Sequence, residues 1–488
     1  MSKDRNIKLK YDNQNCILMM KKIKYTVLTL IIGLSFGCFE DNDDNASGSS
    51  SVKDFVWKAM NNVYLYNADV ADLADDRFTN NTDYNSFLDG FDTPEALFES
   101  LVHDRENVDR FSIITNNYFE LEQSLSGVAK RSGAEFNFYY VPGSTSEVFG
   151  IVRLILPNSN ASQTPLTRGQ IFNKINGVTM TDSNYRSLFS GDTYTITLAA
   201  YDDNNTEDTS DDVISDTAED ITLIKSVYTE NPVFKTEIFE VNNDKVGYLM
   251  YNTFVGEFDS ELNQAFGTFK TENIDHLVLD LRYNPGGSVR TAAALGSMIT
   301  GDFNNQVFAT LQFNENLQNN NYDYVFTDEL SNGSIINSLN LDKVYVLTSG
   351  ASASASEMII NSLKSYITVV QIGTTTVGKS QASQIIYDSS NFGRVNANPT
   401  HTYALLPLIA ITVNKDSTVV PASGLVPDIE LKEKAANYGI LGDPTEPLLE
   451  AALNEIQVSG RRSNIMSNNN NLVLINELDS KSTLMIAD

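Results

Sequence analysis

The chain has 488 residues, of which 41% are hydrophobic and 20% are charged, with 27 Gly and 12 Pro. This length predicts about three domains, and this composition excludes collagen-like, coiled-coil and wholly disordered proteins. The net charge of −29 argues against nucleic acid as a partner, because binding to a phosphate backbone requires a basic surface. We therefore expect a globular protein with no polynucleotide partner.

The N-terminus has the pattern of an export signal. Lysines within residues 21–24 precede an apolar run at residues 27–34 that is too short to span a bilayer. We predict that residues 1–37 are a signal segment. An over-long gene start covering residues 1–19 is an open alternative, because Met20 stands where such a signal normally begins.

A cysteine closes this apolar run. Cys38 is followed by an acidic stretch at residues 40–44 and a Ser/Gly tract that ends at Ser51. This arrangement resembles the lipoprotein signals of Bacteroidota, which implies that Cys38 is lipidated and anchors the protein in the outer membrane, exposed at the surface. Residues 38–51 would then be a linker. The alternative is an ordinary secretory signal with a chance cysteine. The other cysteine, Cys16, also lies near the N-terminus, so we expect no disulfide and no cysteine-based zinc site in the body of the protein.

The first part of the body is predicted to be helical. Phe55, Ala59 and Val63 recur at helical spacing between polar residues, and a similar pattern continues through Leu97 and Leu101. We assign residues 52–126 to a small helical domain.

The next part has the pattern of a β-domain. Residues 136–141 and 149–155 have the composition of strands, and an Arg-Gly-Gln turn at 168–170 precedes a further strand and an Asn-Gly hairpin signal at 176–177. This stretch resembles a PDZ domain, although Gln170 replaces the usual Asp. The resemblance implies that residues 127–230 bind a peptide by adding it as a strand to a sheet edge. A small β-domain that only packs against its neighbours is the alternative.

The largest part alternates strands and helices. Residues 246–249, 276–280, 343–347 and 367–372 are predicted strands with amphipathic stretches between them, which indicates an α/β domain at residues 231–434. Residues 435–488 are predicted to contain a helix at 446–453 and a loose tail that includes the Asn run at 468–471.

Two segments of the α/β domain indicate acyl-transfer chemistry. Residues 280–287 lead from a strand into a Pro-Gly-Gly turn, whose backbone N–H groups suit an oxyanion hole. Residues 348–357 lead from a strand through small residues into a helix, the arrangement of a nucleophile elbow. The alternative is that Ser354 and Glu357 simply cap this helix.

A nucleophilic serine needs a base. His103, His276 and His401 do not lie in motif-like settings, whereas Lys379 follows a predicted strand at a turn. A lysine can accept the hydroxyl proton only if burial lowers its pKa from about 10.4 to about 7–8. An exposed lysine is the ordinary alternative.

The chain resembles the carboxyl-terminal processing (tail-specific) serine peptidases in three places, which are residues 280–287, residues 349–357 and Gly378-Lys379. The resemblance implies a multidomain α/β fold in which the N-terminal helical domain and a PDZ-like β-domain accompany a ClpP/crotonase-like protease domain. It also implies a polypeptide substrate and no metal or cofactor.

The resemblance assigns roles to particular residues. It places the nucleophile at Ser354 and the base at Lys379, which lies 25 residues further along the chain. It places the oxyanion hole at the backbone N–H of Ala355 together with that of Gly286 or Gly287.

The third member of the site is left open by the sequence. The family often orients the lysine with an Asp or a Gln, at positions that are occupied here by Ser365 and Ser383. Gln381 and Gln384 are possible substitutes for them.

We therefore predict an exported, lipid-anchored serine endopeptidase that acts through an acyl-enzyme. Two alternatives remain. One is a PDZ-containing peptide-binding surface lipoprotein with weak or no catalytic activity. The other is a surface lipoprotein that handles carbohydrate, suggested by location and acidity alone. The sequence leaves the substrate and the oligomeric state open.

Overall fold

The computed structural model describes residues 52–206, 208–457, 472, 474, 475 and 485–487. The predicted signal segment, Cys38 and the linker lie outside the described residues, as does the Asn run at 468–471. The helices are α1 (Val52–Val63), α2 (Asn81–Asp89), α3 (Pro94–Ser100), α4 (Tyr118–Leu125), α5 (Tyr185–Leu188), α6 (Asp259–Glu272), α7 (Val289–Thr300), α8 (Ala355–Leu363) and α9 (Pro447–Gln457).

The strands are β1 (Ile113–Thr115), β2 (Val128–Arg131), β3 (Ala134–Tyr140), β4 (Val148–Ile155), β5 (Ile171–Ile175), β6 (Val178–Thr179), β7 (Thr193–Asp202), β8 (Val213–Ile224), β9 (Ser226–Thr229), β10 (Val233–Val241), β11 (Asp244–Tyr251), β12 (His276–Asp280), β13 (Gly287–Ser288), β14 (Val307–Phe313), β15 (Tyr322–Val325), β16 (Lys343–Thr348), β17 (Thr368–Gly373), β18 (Gln381–Ser383), β19 (Ile386–Tyr387), β20 (Ala404–Leu406), β21 (Leu408–Val413), β22 (Ile429–Glu430) and β23 (Met485–Ile486).

The N-terminal region is mainly helical and is joined tightly to the rest of the chain. Helix α1 buries Phe55 and Ala59 on the face that the sequence pattern predicts. Leu405 belongs to the same apolar cluster, so the N-terminal region shares its core with the α/β domain. Strand β1 also pairs antiparallel with β20, with Ile113 opposite Leu406. The region therefore docks through both side chains and backbone.

The second region is a small antiparallel β-domain. Its sheet has the order β3-β4-β5-β7-β8, and strands β2 and β9 form a separate two-stranded ribbon. The strands predicted at 136–141 and 149–155 are confirmed as β3 and β4. Arg168, in the predicted Arg-Gly turn, donates a hydrogen bond to the Tyr283 hydroxyl at 2.7 Å and forms an ion pair with Glu433. This contact fixes the β-domain beside the Pro-Gly-Gly turn.

The α/β domain is built on a mainly parallel sheet of order β10-β11-β12-β16-β17-β22. Strand β10 is antiparallel to β11, and the other neighbouring pairs are parallel. The four strands predicted from the sequence are confirmed as β11, β12, β16 and β17, as is the multidomain α/β class. Because β12 and β16 run side by side in parallel, the segments that follow them emerge at the same edge of the sheet.

A second sheet, of order β13-β23-β18-β21-β14-β15, lies across the helices from the first. One large apolar core connects the layers, with side chains from β12, α7, α8 and β14 packed together; examples are Leu279, Leu295, Ile359 and Phe308. Every residue of α8 is buried. The start of α8 is therefore held rigidly between the sheets.

The end of the chain differs from the prediction. Helix α9 agrees with the helix predicted at 446–453, but the tail beyond it is not uniformly loose. Leu472 and Met485 are buried, and Met485–Ile486 form a strand of the second sheet. The prediction was wrong here because it weighted the polar Asn run and overlooked the apolar residues that follow it. Within the parts of the chain that the structure describes, none of the helices combines the length and apolar character needed to cross a membrane.

Candidate active site

Ser354 lies at a sharp turn between a strand and a helix. Strand β16 ends at Thr348, and α8 begins immediately after Ser354. The backbone of Ser354 has φ 62° and ψ −115°, an unfavourable conformation for a residue other than glycine, which a nucleophile elbow imposes on its serine. The side chain is fully buried, and its Oγ makes no hydrogen bond of normal geometry with any described residue. In the capping box this oxygen faces the backbone N–H of Glu357 as an acceptor, and no described residue accepts the hydroxyl hydrogen.

Glu357 connects the serine turn to the lysine turn. Its carboxylate accepts the backbone N–H groups of Ser354 at 2.8 Å, Gly378 at 2.7 Å and Lys379 at 2.9 Å. Burial raises the pKa of Glu357 above its usual range. Its hydrogen bonds, of which the one from Thr376 has the largest effect, only partly oppose this rise. Glu357 is also the third residue of α8, and with Ser354 it forms the capping box of this helix. The same two residues therefore fit both the capping interpretation and the nucleophile interpretation.

Lys379 is fully buried, so the ordinary expectation of an exposed lysine does not hold. Burial lowers the pKa of its amine to about 7, and the negative charges of Asp109 and Glu357 partly oppose that shift. The amine lies 4.8 Å from the centre of the Phe111 ring. A lysine in these surroundings is substantially uncharged at neutral pH, as a general base must be.

The N-terminal region contributes three consecutive residues to the lysine pocket, which the sequence analysis missed. Asp109 acts on the amine through its charge, and Phe111 provides the aromatic face. Arg110 donates to the backbone carbonyls of Val377 at 3.4 Å and Gly378 at 3.3 Å, and so holds the turn that carries Lys379. The sequence pattern gives no local signal for this role, because residues 109–111 lie beyond Leu101, the last residue of the predicted helical spacing.

Asp109 is itself fixed in place. It is fully buried and accepts hydrogen bonds from the Tyr64 hydroxyl at 2.7 Å and from the backbone N–H groups of Phe111 at 3.1 Å and Ser112 at 2.8 Å. These bonds stabilise its negative charge inside the protein. The charge that faces the lysine pocket therefore has a defined position.

The Pro-Gly-Gly turn carries the candidates for the second oxyanion donor. The N–H of Gly286 donates to Asn284 Oδ1 at 2.9 Å and is thus engaged within the turn, which favours Gly287 over Gly286. Gly287 has φ 133°, and a Cβ there would lie 2.1 Å from the Phe254 carbonyl oxygen, so only glycine fits. The N–H of Ala355 is in the first turn of α8, where backbone donors have no partner within the helix.

Hydrogen bonds hold the two turns together. The carbonyl oxygen of Asn284 accepts the N–H of Ala353 at 3.1 Å and the hydroxyl of Ser356 at 3.0 Å. The Ser352 hydroxyl donates to the Leu281 carbonyl at 2.8 Å. The distance between the nucleophile turn and the glycine turn is therefore set by the fold before any substrate binds.

The four candidates for the third member of the site occupy different places. Ser383 is fully buried, and its Oγ has no hydrogen-bond partner among the described residues. Gln381 shares its face of β18 and donates to the Tyr66 hydroxyl at 3.1 Å, whereas Gln384 is exposed. Ser365 lies beyond the C-terminal end of α8, roughly 13 Å of helix away from Ser354, and interacts with Asp416. The structure therefore removes Ser365 from the neighbourhood of Lys379.

Two of the three histidines pair with carboxylates, and the ring of the third, His103, lies 5.8 Å from that of Tyr66. His401 Nε2 lies 2.9 Å from the Asp388 carboxylate, and His276 lies 3.5 Å from that of Asp244. Within the described part of the chain, no group of three or more His, Cys, Asp or Glu side chains is arranged to hold a metal ion. These placements leave Lys379 as the candidate base.

Comparison with known families gives two matches. The model described as peptidase family S41 matches residues 245–430, and the model described as the peptidase S41 N-terminal domain matches residues 51–113. The first match contains Ser354 and Lys379, and the second ends just beyond residues 109–111.

Individual relatives agree with these matches. The chain is 24% identical over 243 residues to a carboxyl-terminal-processing protease from Picosynechococcus, covering 49% of this chain and 51% of that protein. It is 25% identical over 239 residues to the chloroplastic carboxyl-terminal-processing peptidase 2 of Arabidopsis thaliana, covering 46% of this chain and 41% of that protein. The matched stretch thus spans about half of the length of these curated relatives or less.

A solved structure is similar over most of the chain. A putative S41 protease from Bacteroides fragilis is 28% identical, with a TM-score of 0.65, covering 84% of this chain and 98% of that one. The likeness therefore extends through the helical, β and α/β regions.

Proposed function

Because the chain belongs to peptidase family S41, a family of serine peptidases, we propose that it is an endopeptidase in which Ser354 is the nucleophile and Lys379 the base. Its substrates are exported or extracellular polypeptides. Membership of a peptidase family leaves the carbohydrate-handling alternative without support.

One observation carries this proposal: Lys379 is buried, with its pKa lowered to about 7, and its turn is tied to the Ser354 turn through a single carboxylate. A base is most effective when its pKa lies near the working pH. An amine with an ordinary pKa of about 10.4 would be almost entirely protonated at pH 7 and unable to accept a proton.

The reaction follows from the placement of these groups. The neutral amine of Lys379 takes the hydroxyl proton while Ser354 Oγ attacks the peptide carbonyl, and the resulting oxyanion is stabilised by the N–H groups of Ala355 and Gly287. The ammonium then gives its proton to the leaving amine, and an acyl-enzyme remains. Water, deprotonated by the same amine, then attacks the ester, and the ammonium returns the proton to Ser354 Oγ as the ester bond breaks and the acid product leaves.

The lysine is oriented by residues of two regions. We assign this role to Asp109 and Phe111 of the N-terminal region, with Ser383 on the opposite side in β18. Support comes from the aromatic contact with the amine, from the electrostatic effect of Asp109 and from the unpartnered buried hydroxyl of Ser383.

Location is a separate part of the proposal. Residues 1–37 would direct export, and lipidation of Cys38 would place the enzyme at the outer membrane, where the β-domain, acting as a PDZ-like module, would deliver or gate polypeptides. Support comes from the sequence pattern at residues 21–44. Metabolic labelling with a fatty-acid analogue tests it, with Cys38→Ser as the variant that loses the label.

The central experiment measures cleavage of an unstructured polypeptide by purified protein. We expect Ser354→Ala to reduce kcat/KM by at least about 10³-fold, because the covalent route is lost. Ser362→Ala is the matched control: it removes another buried hydroxyl of the same helix and is expected to retain activity. For the wild type, kcat/KM should rise with pH through about 7, since the amine must lose its proton to act.

Two results would contradict this proposal. Cleavage that survives Ser354→Ala would place the nucleophile elsewhere. A wild-type protein that binds polypeptide and does not cleave it would favour the peptide-binding alternative.

A further inference from the structure

The last residues of the chain occupy a strand position in the second sheet. Met485 and Ile486 pair in parallel with Gly287 and Ser288 of β13 on one side. On the other side Ile486 pairs with Ser383 of β18, and the N–H of Ala487 donates to the Ser383 carbonyl at 3.0 Å. The C-terminal strand thus fills the space between β13 and β18, which we call the slot.

The two edges of the slot carry the two halves of the candidate active site. Strand β13 contains Gly287, the favoured second oxyanion donor. Strand β18 begins two residues after Lys379 and contains Ser383. Any extended backbone in the slot therefore passes between the oxyanion side and the base side, the position that a peptide substrate must take.

The C-terminal side chains fit their surroundings in different ways. Met485 is fully buried and belongs to the main apolar core, together with Phe254 and Ala382, which flank the slot. Ile486 is only partly buried and borders a cavity of about 790 Å³ that reaches the Pro-Gly-Gly turn. The slot thus holds a methionine-sized side chain opposite Gly287 and opens into a larger space beside it.

The same tail contacts the β-domain. Strand β3 is the edge strand of that sheet, and Leu474 forms an antiparallel bridge with Tyr139. The N–H of Ile475 donates to the Phe138 carbonyl at 2.9 Å. An extended segment has thus been added to an exposed sheet edge, which is a recurrent way to bind peptides.

We propose that the slot between β13 and β18 is the substrate-binding groove and that the chain's own residues 485–487 occupy it as a tethered ligand. The ligand class is an extended polypeptide with an unbranched apolar side chain opposite Gly287. This inference rests on the proposed function, because the slot matters for catalysis only if Ser354 and Lys379 act as assigned.

Tethering has a kinetic consequence. A segment held in the same molecule has a higher effective concentration than the same peptide free in dilute solution. An external substrate must displace the tail before it can pair with β13 and β18. The intact chain should therefore show a raised KM, and the tail should act as a competitor rather than alter the chemical step.

The test compares the intact chain with a chain that ends at Ser480. With an unstructured polypeptide as substrate, we expect removal of the tail to lower KM at least fivefold with little change in kcat. A synthetic peptide of residues 481–488 should inhibit the shortened chain competitively. The same peptide with Met485→Asp should inhibit at least tenfold more weakly, because a carboxylate is unfavourable in the apolar site.

A binding measurement separates this inference from the proposed function. The shortened chain carrying Ser354→Ala should bind the labelled peptide of residues 481–488 in fluorescence anisotropy, with no hydrolysis required. Binding by protein that never cleaves polypeptide would support the slot and contradict the proposed function. If the shortened chain has an unchanged KM and the peptide neither binds nor inhibits it, the proposal for the slot is overturned. The proposed function would be unaffected by that result.

A second variant serves as the control for loss of folding in the shortened chain. If removal of the tail unfolds the protein, the full-length Met485→Asp variant decides the question. A lower KM in that variant supports the proposal, and a KM equal to that of the wild type overturns it.

Discussion

Two basic side chains are fully buried in the α/β domain, and their surroundings shift their pKa values in opposite directions. Arg282 pairs with Asp280 at 2.8 Å, Glu446 at 2.6 Å and Glu433 at 3.1 Å. Burial alone would lower the pKa of Arg282, but these carboxylates raise it well above the ordinary range. At Lys379 burial dominates, and the pKa of the amine falls to about 7.

The difference shows that burial alone does not decide the charge of a group. Arg282 lies beneath the Pro-Gly-Gly turn, and its three carboxylates join the strand before that turn to the segments around Glu433 and Glu446. Its permanent charge makes it a structural link. Lys379 has an aromatic ring beside its amine, and the charges of Asp109 and Glu357 only partly offset desolvation. Its lowered pKa suits it to the proposed role of base.

The largest effect on stability is expected for Arg282→Met. The change leaves Asp280 and Glu446 in the interior without a cation, whereas Glu433 keeps Arg168, and it should lower the free energy of unfolding by at least about 3–5 kcal/mol. Chemical denaturation measures this loss. Lys270→Met, which removes an exposed lysine on α6, should change the stability by less than about 1 kcal/mol. Equal effects of the two substitutions would mean that the buried network is not a structural link.

Lys379→Met should increase the free energy of unfolding at pH 7, whereas Arg282→Met should decrease it. The folded-state pKa of about 7 lies below the unfolded value of 10.5, so the unfolded chain binds more protons between these values and the wild type loses stability as the pH falls. Met avoids this cost, so the variant should be more stable at pH 7 by about 3–5 kcal/mol, with the gain falling below about 1 kcal/mol by pH 10.

Denaturation at several pH values checks this prediction. The variant should also be inactive, so this one substitution should raise the stability and abolish the activity. A loss of stability at pH 7, or a gain that does not decline as the pH rises, would contradict the assignment of a neutral buried amine.

The smallest effect is expected for Asp109→Asn, and it concerns the pH dependence of kcat/KM. The carboxylate raises the pKa of Lys379, so its removal should lower that pKa further and move the rise of kcat/KM to lower pH, by about half a unit to one unit. The amide keeps an oxygen for the backbone N–H groups of Phe111 and Ser112. Glu106→Gln, which neutralises an exposed carboxyl of the same segment, should leave the profile in place. An unchanged profile for Asp109→Asn would limit that residue to a structural role.

The main elements of the candidate site were accessible from the sequence because their signals are local. Ser354 stands between a strand and a helix in a run of small residues, and Gly287 lies in a Pro-Gly-Gly turn after another strand. The parallel pairing of β12 with β16 then brings these turns together. The resemblance to a known family supplied Lys379, whose burial no local pattern indicates.

Other features depend on distant contacts and were missed for that reason. Asp109 and Phe111 reach Lys379 only because β1 pairs with β20 and the N-terminal region shares its core with the α/β domain. The choice between Gly286 and Gly287 depends on the hydrogen bond to Asn284, which is a property of the folded turn. The exclusion of Ser365 follows from the straight course of α8, which carries that residue away from the site.

The shared core of the N-terminal and α/β regions has a consequence for biosynthesis. Asp109 and Phe111 leave the ribosome long before Ser354 and Lys379, and the lysine pocket closes only after both parts have been made and docked. A chain in which these two parts have not yet docked therefore lacks the complete lysine pocket. We expect the candidate site to be completed late in folding, after the N-terminal region has packed on the α/β domain.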